Sequence, residues 1–283
     1  MANFVTAEEA VSKIADGAVI ATSGFVGAIV AEHVLKALQK SFLEKGTPRD
    51  LTVVFAAGQG DGKEGGLNHF GEEGLLRCII GGHYNLSPRV GKLAMENKIE
   101  AYNFPQGTMS QWFRDIAGRR PGTITKVGLD TFVDPRIEGG RLNEKSPAGR
   151  VEVINLNGEE WLWYKPCKLD VAIIRGTTAD EDGNILMNEE IGTGEALAIA
   201  QAVRACGGIV IVQVKKIAKR ETLDPDEGEA VVGYYVTGEI LMCVILDPFE
   251  VPVMKVALDK GTLKDYILAA NDLTEDMLAS LEK

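Results

Sequence analysis

Two glycine-bearing stretches hold the residues whose types and spacing could do chemistry. Ser23-Gly24-Phe25-Val26-Gly27 joins the apolar run Ala18-Val19-Ile20-Ala21 to a segment with helical spacing. Gln106-Gly107 follows Tyr102-Asn-Phe-Pro105 at the end of another strand-like run. Glycines let a strand turn sharply into a helix. Backbone N–H groups at the carboxyl end of a strand and the amino end of a helix can hold developing negative charge. A glutamine amide there can donate to an oxygen without adding charge. Three readings of the first stretch stand open: a phosphate-binding turn, a plain corner, or part of another kind of active site. The dinucleotide fingerprint G-x-G-x-x-G is incomplete, because Gly24-Phe-Val-Gly27 supplies two of its glycines. Asp50 precedes the next strand, whereas the ribose-binding acid should end it. For Gln106 the bland alternative is an exposed turn residue, and for Phe25 it is core packing.

Other polar groups carry weaker signals. His33 lies on a predicted helix, at the surface; His69 and His83 flank glycine-rich loops, without metal-ligand spacing. Asp180-Glu-Asp-Gly-Asn184 resembles a calcium-loop fragment but lacks the closing glutamate, so it reads as a solvated turn. Cys78, Cys167, Cys206 and Cys243 are widely separated, with no C-x-x-C pair, so neither a zinc site nor a redox motif is indicated. No metal site is expected.

The elements that must position these residues are legible as alternating strands and helices. Val19–Ala21, Leu51–Ala57, Cys78–Ile80, Ile99–Phe104, Asp170–Ile174, Ile209–Val214 and Ile240–Leu246 read as buried strands. Ile29, Val30, Val34, Leu35, Leu38, Phe42 and Leu43 recur at helical spacing from Ala28 onward, with Gly46 at the C′ position and Pro48 beyond it. Ser87-Pro88 supplies an N-cap and an N1 proline for a helix carrying Val90, Leu93 and Met95. Trp112, Phe113 and Ile116 predict a helix after a Pro105-Gln106-Gly107 turn, and Thr193–Ala205 predicts an alanine-rich one ended by Gly207-Gly208. Asn157-Gly158 between two strand-like runs is a hairpin signal. Leu263–Leu281 has helical spacing. The pattern predicts an α/β fold: a three-layer open sheet, mixed but mostly parallel, with helices on both faces and a β-hairpin insertion. The simplest partition is one domain over 1–283, with the inserted hairpin region at about 120–166 and a C-terminal helix at about 261–282.

Composition bounds the partners. The sequence has 283 residues and a formal net charge of −11. That excess of acid argues against nucleic acid and against anionic membrane surfaces. It leaves room for an anionic small ligand in a locally positive pocket. No apolar run reaches the roughly 20 residues of a membrane span, and the first residues lack a signal-peptide pattern. A cytoplasmic protein is expected.

The order and spacing of the motifs resemble the family I coenzyme A transferases. Ser23–Gly27 after Asp16-Gly17 resembles that family's glycine signature, and Tyr102–Gly107 its Pro-Gln-Gly turn. Leu129-Asp-Thr-Phe-Val-Asp-Pro-Arg136 with Gly139-Gly140 is similar to the loop that follows, and Asp170–Asn184 to a strand and asparagine-bearing turn. Leu223-Asp-Pro225 and Gly233-Tyr-Tyr-Val236 resemble a segment near the end of the family's first half. The likeness covers about residues 1–245 and is greatest to the propionate and acetate transferases. Ser23 replaces the commoner glycine, and Ile29-Val30-Ala31 lacks the proline that usually follows.

The resemblance implies exchange of coenzyme A between an acyl-CoA and a small carboxylic acid, and a place in fatty acid metabolism. Coenzyme A is then a substrate, and no resident cofactor is implied. The family's nucleophile is a glutamate of the second half, in a short Glu-Asn-Gly or Glu-x-Gly motif. It attacks the thioester to give a mixed anhydride and then a glutamyl thioester, which the acceptor carboxylate resolves. Glu96-Asn97-Lys98 is the nearest lookalike here, but it sits at a predicted helix end and lacks the glycine. The resemblance therefore implies an α subunit of a hetero-oligomer, with the catalytic glutamate on a β partner. This chain would contribute Ser23, Gly24, Phe25, Val26, Gly27, Gln106 and Gly107 to substrate and oxyanion binding. Lys215, Lys216, Lys219 and Arg220 would either meet coenzyme A phosphates or stay solvated. The alternatives are a thioester hydrolase or ring-opening subunit on the same fold, and a non-catalytic ligand-sensing subunit.

Overall fold

The computed structural model describes residues 3–219, 222–223 and 242–246. The chain divides into two compact units, Met1–Leu246 and Asp247–Lys283, and all the described residues lie in the first. The helix expected at about 261–282, Asp224-Pro225 and Gly233–Val236 lie outside the described residues, so the expected single domain over 1–283 extends past them.

The chain opens with β1 (Asn3–Phe4), α1 (Ala7–Val11), β2 (Val19–Thr22) and α2 (Glu32–Lys45). Next come β3 (Leu51–Val54), β4 (Leu76–Gly81), α3 (Pro88–Met95), β5 (Glu100–Asn103) and α4 (Gln106–Ala117). The insertion is β6 (Thr123–Thr125), β7 (Val151–Leu156) and β8 (Glu159–Tyr164). There follow β9 (Val171–Arg175), β10 (Thr178–Asp180), β11 (Ile185–Leu186), α5 (Ala196–Ala205), β12 (Ile209–Val214), β13 (Lys216–Ala218) and β14 (Met242–Leu246).

Eight strands form one sheet in the order β1-β14-β12-β9-β2-β3-β4-β5, every pair parallel. Antiparallel strand ladders occur in two small sheets, β6-β8-β7 and β11-β10-β13. Strands covered on both faces read as near-continuous apolar runs, and Leu51–Val54 and Val171–Arg175 are buried throughout, with Thr52 and Arg175 their only polar members. Successive side chains serve opposite layers. Ile20 belongs to the core cluster that contains Val34, Leu35 and Leu38 of α2, and Ala21 to the cluster that contains Trp112, Phe113 and Ile199 of α4 and α5. The three-layer α/β fold read from the sequence is the fold observed, and the mixed character lies in the small sheets.

The local signals act as physics requires. Gly46 ends α2 with φ 73°, and Pro88 opens α3 at its first position. Asn157 (φ 54°) and Gly158 (φ 86°) form the two-residue turn between β7 and β8. Three expectations are corrected. Ile29 and Val30 do not belong to α2, which starts at Glu32; Ile29 holds φ 50°, which breaks a right-handed helix. Gln106 and Gly107 are the first two residues of α4 rather than a turn, because Pro105 acts as its N-cap and its carbonyl accepts the Met109 N–H at 3.0 Å. Helix α5 starts at Ala196 and not Thr193, since Gly194 takes φ 49°.

The sheet order fixes one special place. From β2 the chain lays down β3, β4 and β5 in one direction; β9, β12 and β14 then run out in the other. The order therefore reverses between β2 and β9. In open parallel sheets a crevice forms outside the strands' carboxyl ends at such a point.

Candidate functional site

The Ser23–Gly27 corner is the carboxyl-end extension of β2 at this switch point. The extensions of β3, β4 and β5 stand beside it in order: Phe55–Gly60, Gly82-His83 and Pro105-Gln106. Neighbouring contacts join them. The Val26 N–H donates to the Gly58 carbonyl at 2.8 Å, and the Gly60 N–H donates to the Val26 carbonyl at 2.7 Å. A Cβ on Gly58 would fall 2.7 Å from Cδ2 of His83, and one on Gly82 would fall 3.0 Å from Cβ of Gln106. The two stretches singled out by their chemistry thus lie on one edge, bridged by the ends of β3 and β4.

The corner is a closed two-residue turn. Phe25 N–H donates to the Ala28 carbonyl at 3.0 Å, and Ala28 N–H returns to the Phe25 carbonyl at 2.9 Å. Val26 sits at its first central position with φ 56°. A β-branched residue there is strained, and strain of this kind persists only where the surroundings impose it. Ile29 repeats the condition three residues later. These bonds consume the N–H groups of Phe25, Val26 and Ala28, while that of Gly27 has no partner among the described residues. A Cβ on Gly27 would meet nothing within 4 Å. Gly27 is therefore the point where the corner keeps an N–H unspent beside open space. The side chains of Phe25 and Val26 are held outward, 55% and 38% exposed.

Gly24 has a different task. A Cβ there would lie 2.7 Å from Cγ2 of Val30 and 2.8 Å from Cγ of Gln59. Its bare Cα admits neighbours of the same chain rather than a ligand. Gln59 is 1% exposed and is held from both ends of its amide: Thr22 Oγ1 donates to Oε1 at 2.5 Å, and Nε2 donates to the Thr22 carbonyl at 3.1 Å. Ser87 Oγ donates to the Gln59 carbonyl at 2.8 Å instead of capping α3. Ser23 is 2% exposed and its Oγ has no hydrogen-bond partner among the described residues.

Helix α4 brings the second set of donors. Its first main-chain bond starts at Met109, and Pro105 supplies no side-chain cap. The N–H groups of Gln106, Gly107 and Thr108 therefore lack helical partners. Gln106 and Gly107 are exposed, and a Cβ on Gly107 would meet nothing within 4 Å. Gly107 also opens a cleft of about 440 Å³ that runs along Thr108, Gln111 and Asp115 toward β6.

Buried ionic groups brace this edge, and sequence reasoning missed them. At the end of β9, Arg175 Nε donates to Glu190 Oε1 at 3.1 Å, with both side chains buried. Behind the corner, His69 is buried, with Nε2 2.7 Å from Glu32 Oε1 and Nδ1 2.6 Å from Gln39 Oε1. The other Glu32 oxygen accepts the Gly66 N–H at 2.8 Å. Burial pushes the Glu32 carboxyl up, but the bond and charge of His69, with the Gly66 N–H, outweigh it and hold Glu32 below its usual range. The signal available in the sequence was a polar residue set in an apolar or glycine-rich frame, as in Ile-Ile-Arg175 and Gly-Gln59-Gly.

The remaining candidates fall elsewhere. Glu96 caps the carboxyl end of α3, just before β5 starts, which places it at the opposite edge of the sheet. Lys215 and Lys216 lie 3.9 and 2.6 Å from Glu189; Arg220 is outside the described residues. Asp180 spends Oδ1 on the N–H groups of Asp182 and Asn184 and Oδ2 on the Asn184 amide, closing its own turn. His33 is partly buried on α2. Among the described residues no helix is long and apolar enough to cross a membrane.

Comparison with known proteins agrees with this architecture. Residues 4–230 match the family model described as Coenzyme A transferase. Caffeate CoA-transferase of Acetobacterium woodii is 44% identical over 227 residues, covering 80% of this chain and 43% of that protein. The crystal structure of the acyl-CoA transferase YdiF from Escherichia coli O157:H7, in a thioester complex with CoA, superposes with a TM-score of 0.82. It is 38% identical and covers 87% of this chain and 47% of that one. Acetate CoA-transferase subunit alpha of Escherichia coli K12 is 25% identical, covering 79% of this chain and 90% of that subunit. The chain thus spans a little under half the length of the first two relatives and most of the third.

Proposed function

The chain belongs to the coenzyme A transferase family, and from that premise we infer that it supplies the α-type half of an enzyme exchanging coenzyme A between an acyl thioester and a small carboxylic acid. The observation that carries this reading is the edge at the β2/β9 switch point. There the Gly27 N–H after β2, unpartnered among the described residues, and the leading N–H groups of α4 after β5 lie on one carboxyl edge of the sheet, with the ends of β3 and β4 between them. Donors of that kind suit a thioester carbonyl whose oxygen gains negative charge, and each is worth about 2.7–4 kcal/mol of barrier in comparable sites.

The nucleophile is a glutamate of the other half. Its carboxylate attacks the acyl carbonyl and expels the coenzyme A thiolate, leaving a mixed anhydride. The thiolate then attacks the glutamyl carbonyl and releases the first acid. The incoming acid repeats these steps in reverse order. Two facts support the division of labour. The chain matches a protein named as an α subunit over most of that subunit's length. The one Glu-Asn pair resembling a nucleophile motif, Glu96-Asn97, lies at the wrong edge of the sheet. Phe25 and Val26 wall the acyl group, and Ser23, Gly24 and Gln59 hold the corner in shape.

The test is an exchange assay between propionyl-CoA and acetate, run on this chain alone and after co-purification with the glutamate-bearing half. Exchange only with both halves is expected, with acid-dependent turnover exceeding hydrolysis. Robust exchange by this chain alone overturns the division of labour, and thioester loss independent of acetate makes the enzyme a hydrolase.

A further inference from the structure

His83 stands on the carboxyl edge of β4 with its ring laid over Gly58 and its nitrogens unused among the described residues. The ring covers Gly58: a Cβ on that glycine would lie 2.7 Å from Cδ2, 3.2 Å from Cβ and 3.3 Å from Cγ of the histidine. Its chain neighbours are locked. Gly82 donates its N–H to the Ala56 carbonyl at 3.1 Å and packs on Gln106. Tyr84 donates its hydroxyl to the Tyr102 carbonyl and sets its ring edge-on to Phe55 at 5.6 Å. Yet neither ring nitrogen of His83 has a hydrogen bond or ion pair among the described residues, and the residue is exposed. His69 is the useful contrast, since both its nitrogens are spent on Gln39 and Glu32.

The position of this ring matters. Gly58, which it covers, takes the N–H of Val26 through its carbonyl, and Gly82 beside it touches Gln106. His83 therefore lies between the corner and the start of α4. Both of those offer neutral N–H donors, whereas the acid substrate is an anion approaching a chain of net charge −11. Such a ligand needs a directed donor at its carboxylate to offset the repulsive background.

Building on the transferase reading above, we propose that His83 is a binding residue for the carboxylate of the acid substrate, donating a ring N–H to one of its oxygens. The acid is thereby held with its other oxygen directed at the carbonyl it will attack. Gly58 is glycine because a side chain there would displace the ring.

The test compares His83→Ala and His83→Gln in the assembled two-half enzyme, with propionyl-CoA and acetate as probes. Losing a hydrogen bond to a charged group predicts a rise in KM for acetate of roughly 10- to 100-fold in the alanine variant. KM for propionyl-CoA should stay within about twofold, and glutamine, which keeps an N–H donor, should recover most of the acetate affinity. A ring that only covers Gly58 would lower Tm and leave the acetate KM unchanged in the folded enzyme, which overturns the proposal while the transferase reading stands. If the unsubstituted enzyme shows no exchange, the transferase reading has failed, and direct binding decides the role of His83. The sequence holds three histidines, so acetate titration followed by imidazole proton resonances, assigned with the Gln variant, resolves each ring. A saturable shift confined to His83 supports the carboxylate site. A His83 resonance that does not respond overturns it.

Discussion

The carbonyl of Val26 accepts the N–H of Gly60 at 2.7 Å, and that clasp holds a β-branched residue at φ 56° on the exposed rim of the sheet. The left-handed conformation costs an L-residue about 1–2 kcal/mol. Glycine would remove that strain and lose about 0.5–1 kcal/mol in backbone entropy. Val26→Gly is therefore expected to be at least as stable as the unsubstituted chain by thermal melting. Exchange by the assembled enzyme should still fall, because the apolar wall beside the acyl group is gone. A clear drop in Tm would mean that the valine is retained for stability rather than for the site.

The two corner glycines should separate cleanly. A side chain at Gly24 collides with Val30 and Gln59 at 2.7 and 2.8 Å, whereas one at Gly27 meets open space. Gly24→Val is expected to lose about 1–3 kcal/mol through overpacking, with exchange falling only as the folded fraction falls. Gly27→Val should melt normally and lose exchange, because its side chain stands where the ligand must reach the free N–H. Melting and exchange measured on the same samples distinguish these. Normal exchange in a folded Gly27→Val enzyme would reduce the corner to a structural bend.

The pattern of strands and helices was legible because each buried strand is a run such as Val-Ala-Ile-Ile, and such runs have one use in a doubly covered sheet. The corner was half legible. Gly24 and Gly27 marked a turn, but periodicity assigned Ile29 and Val30 to the helix, since apolar spacing carries no record of a positive φ. Gln106 was read as a turn residue because a proline before it suggests a break; the same proline instead caps a helix. The braces were illegible for another reason. Thr22 and Gln59 are 37 residues apart, and Glu32 and His69 also 37 apart, so only the packed fold reveals that each polar side chain has its partner.

The Glu32–His69 contact predicts an acid limb of stability. The Glu32 carboxyl is held below its ordinary range in the folded protein. Its contribution is therefore complete above about pH 4.3, where an unfolded glutamate is ionised. It is lost as pH falls through the depressed folded value. Tm measured from pH 7 downward should fall more steeply for the unsubstituted chain than for Glu32→Gln below that point. Parallel curves would show that other carboxylates dominate acid unfolding.

Gln106 gives the sharpest test of the proposed chemistry, because the structure leaves its side chain no stabilising duty. It is exposed at the first position of α4, its amide bonds to no described residue, and its Cα and Cβ lie against Gly82. Alanine keeps both of those atoms and is a better helix former. Gln106→Ala should therefore melt and assemble like the unsubstituted protein. If the amide donates to the acyl or glutamyl oxygen as charge develops, its loss raises the barrier by about 2–4 kcal/mol, or roughly 30- to 1000-fold in kcat. Such a donor acts in the transition state, so kcat and kcat/KM should fall together. A variant that raises KM alone would instead make Gln106 a ground-state contact. Unchanged turnover in a correctly assembled enzyme would leave the oxyanion to backbone N–H groups, and the Gly27→Val variant then becomes the deciding measurement.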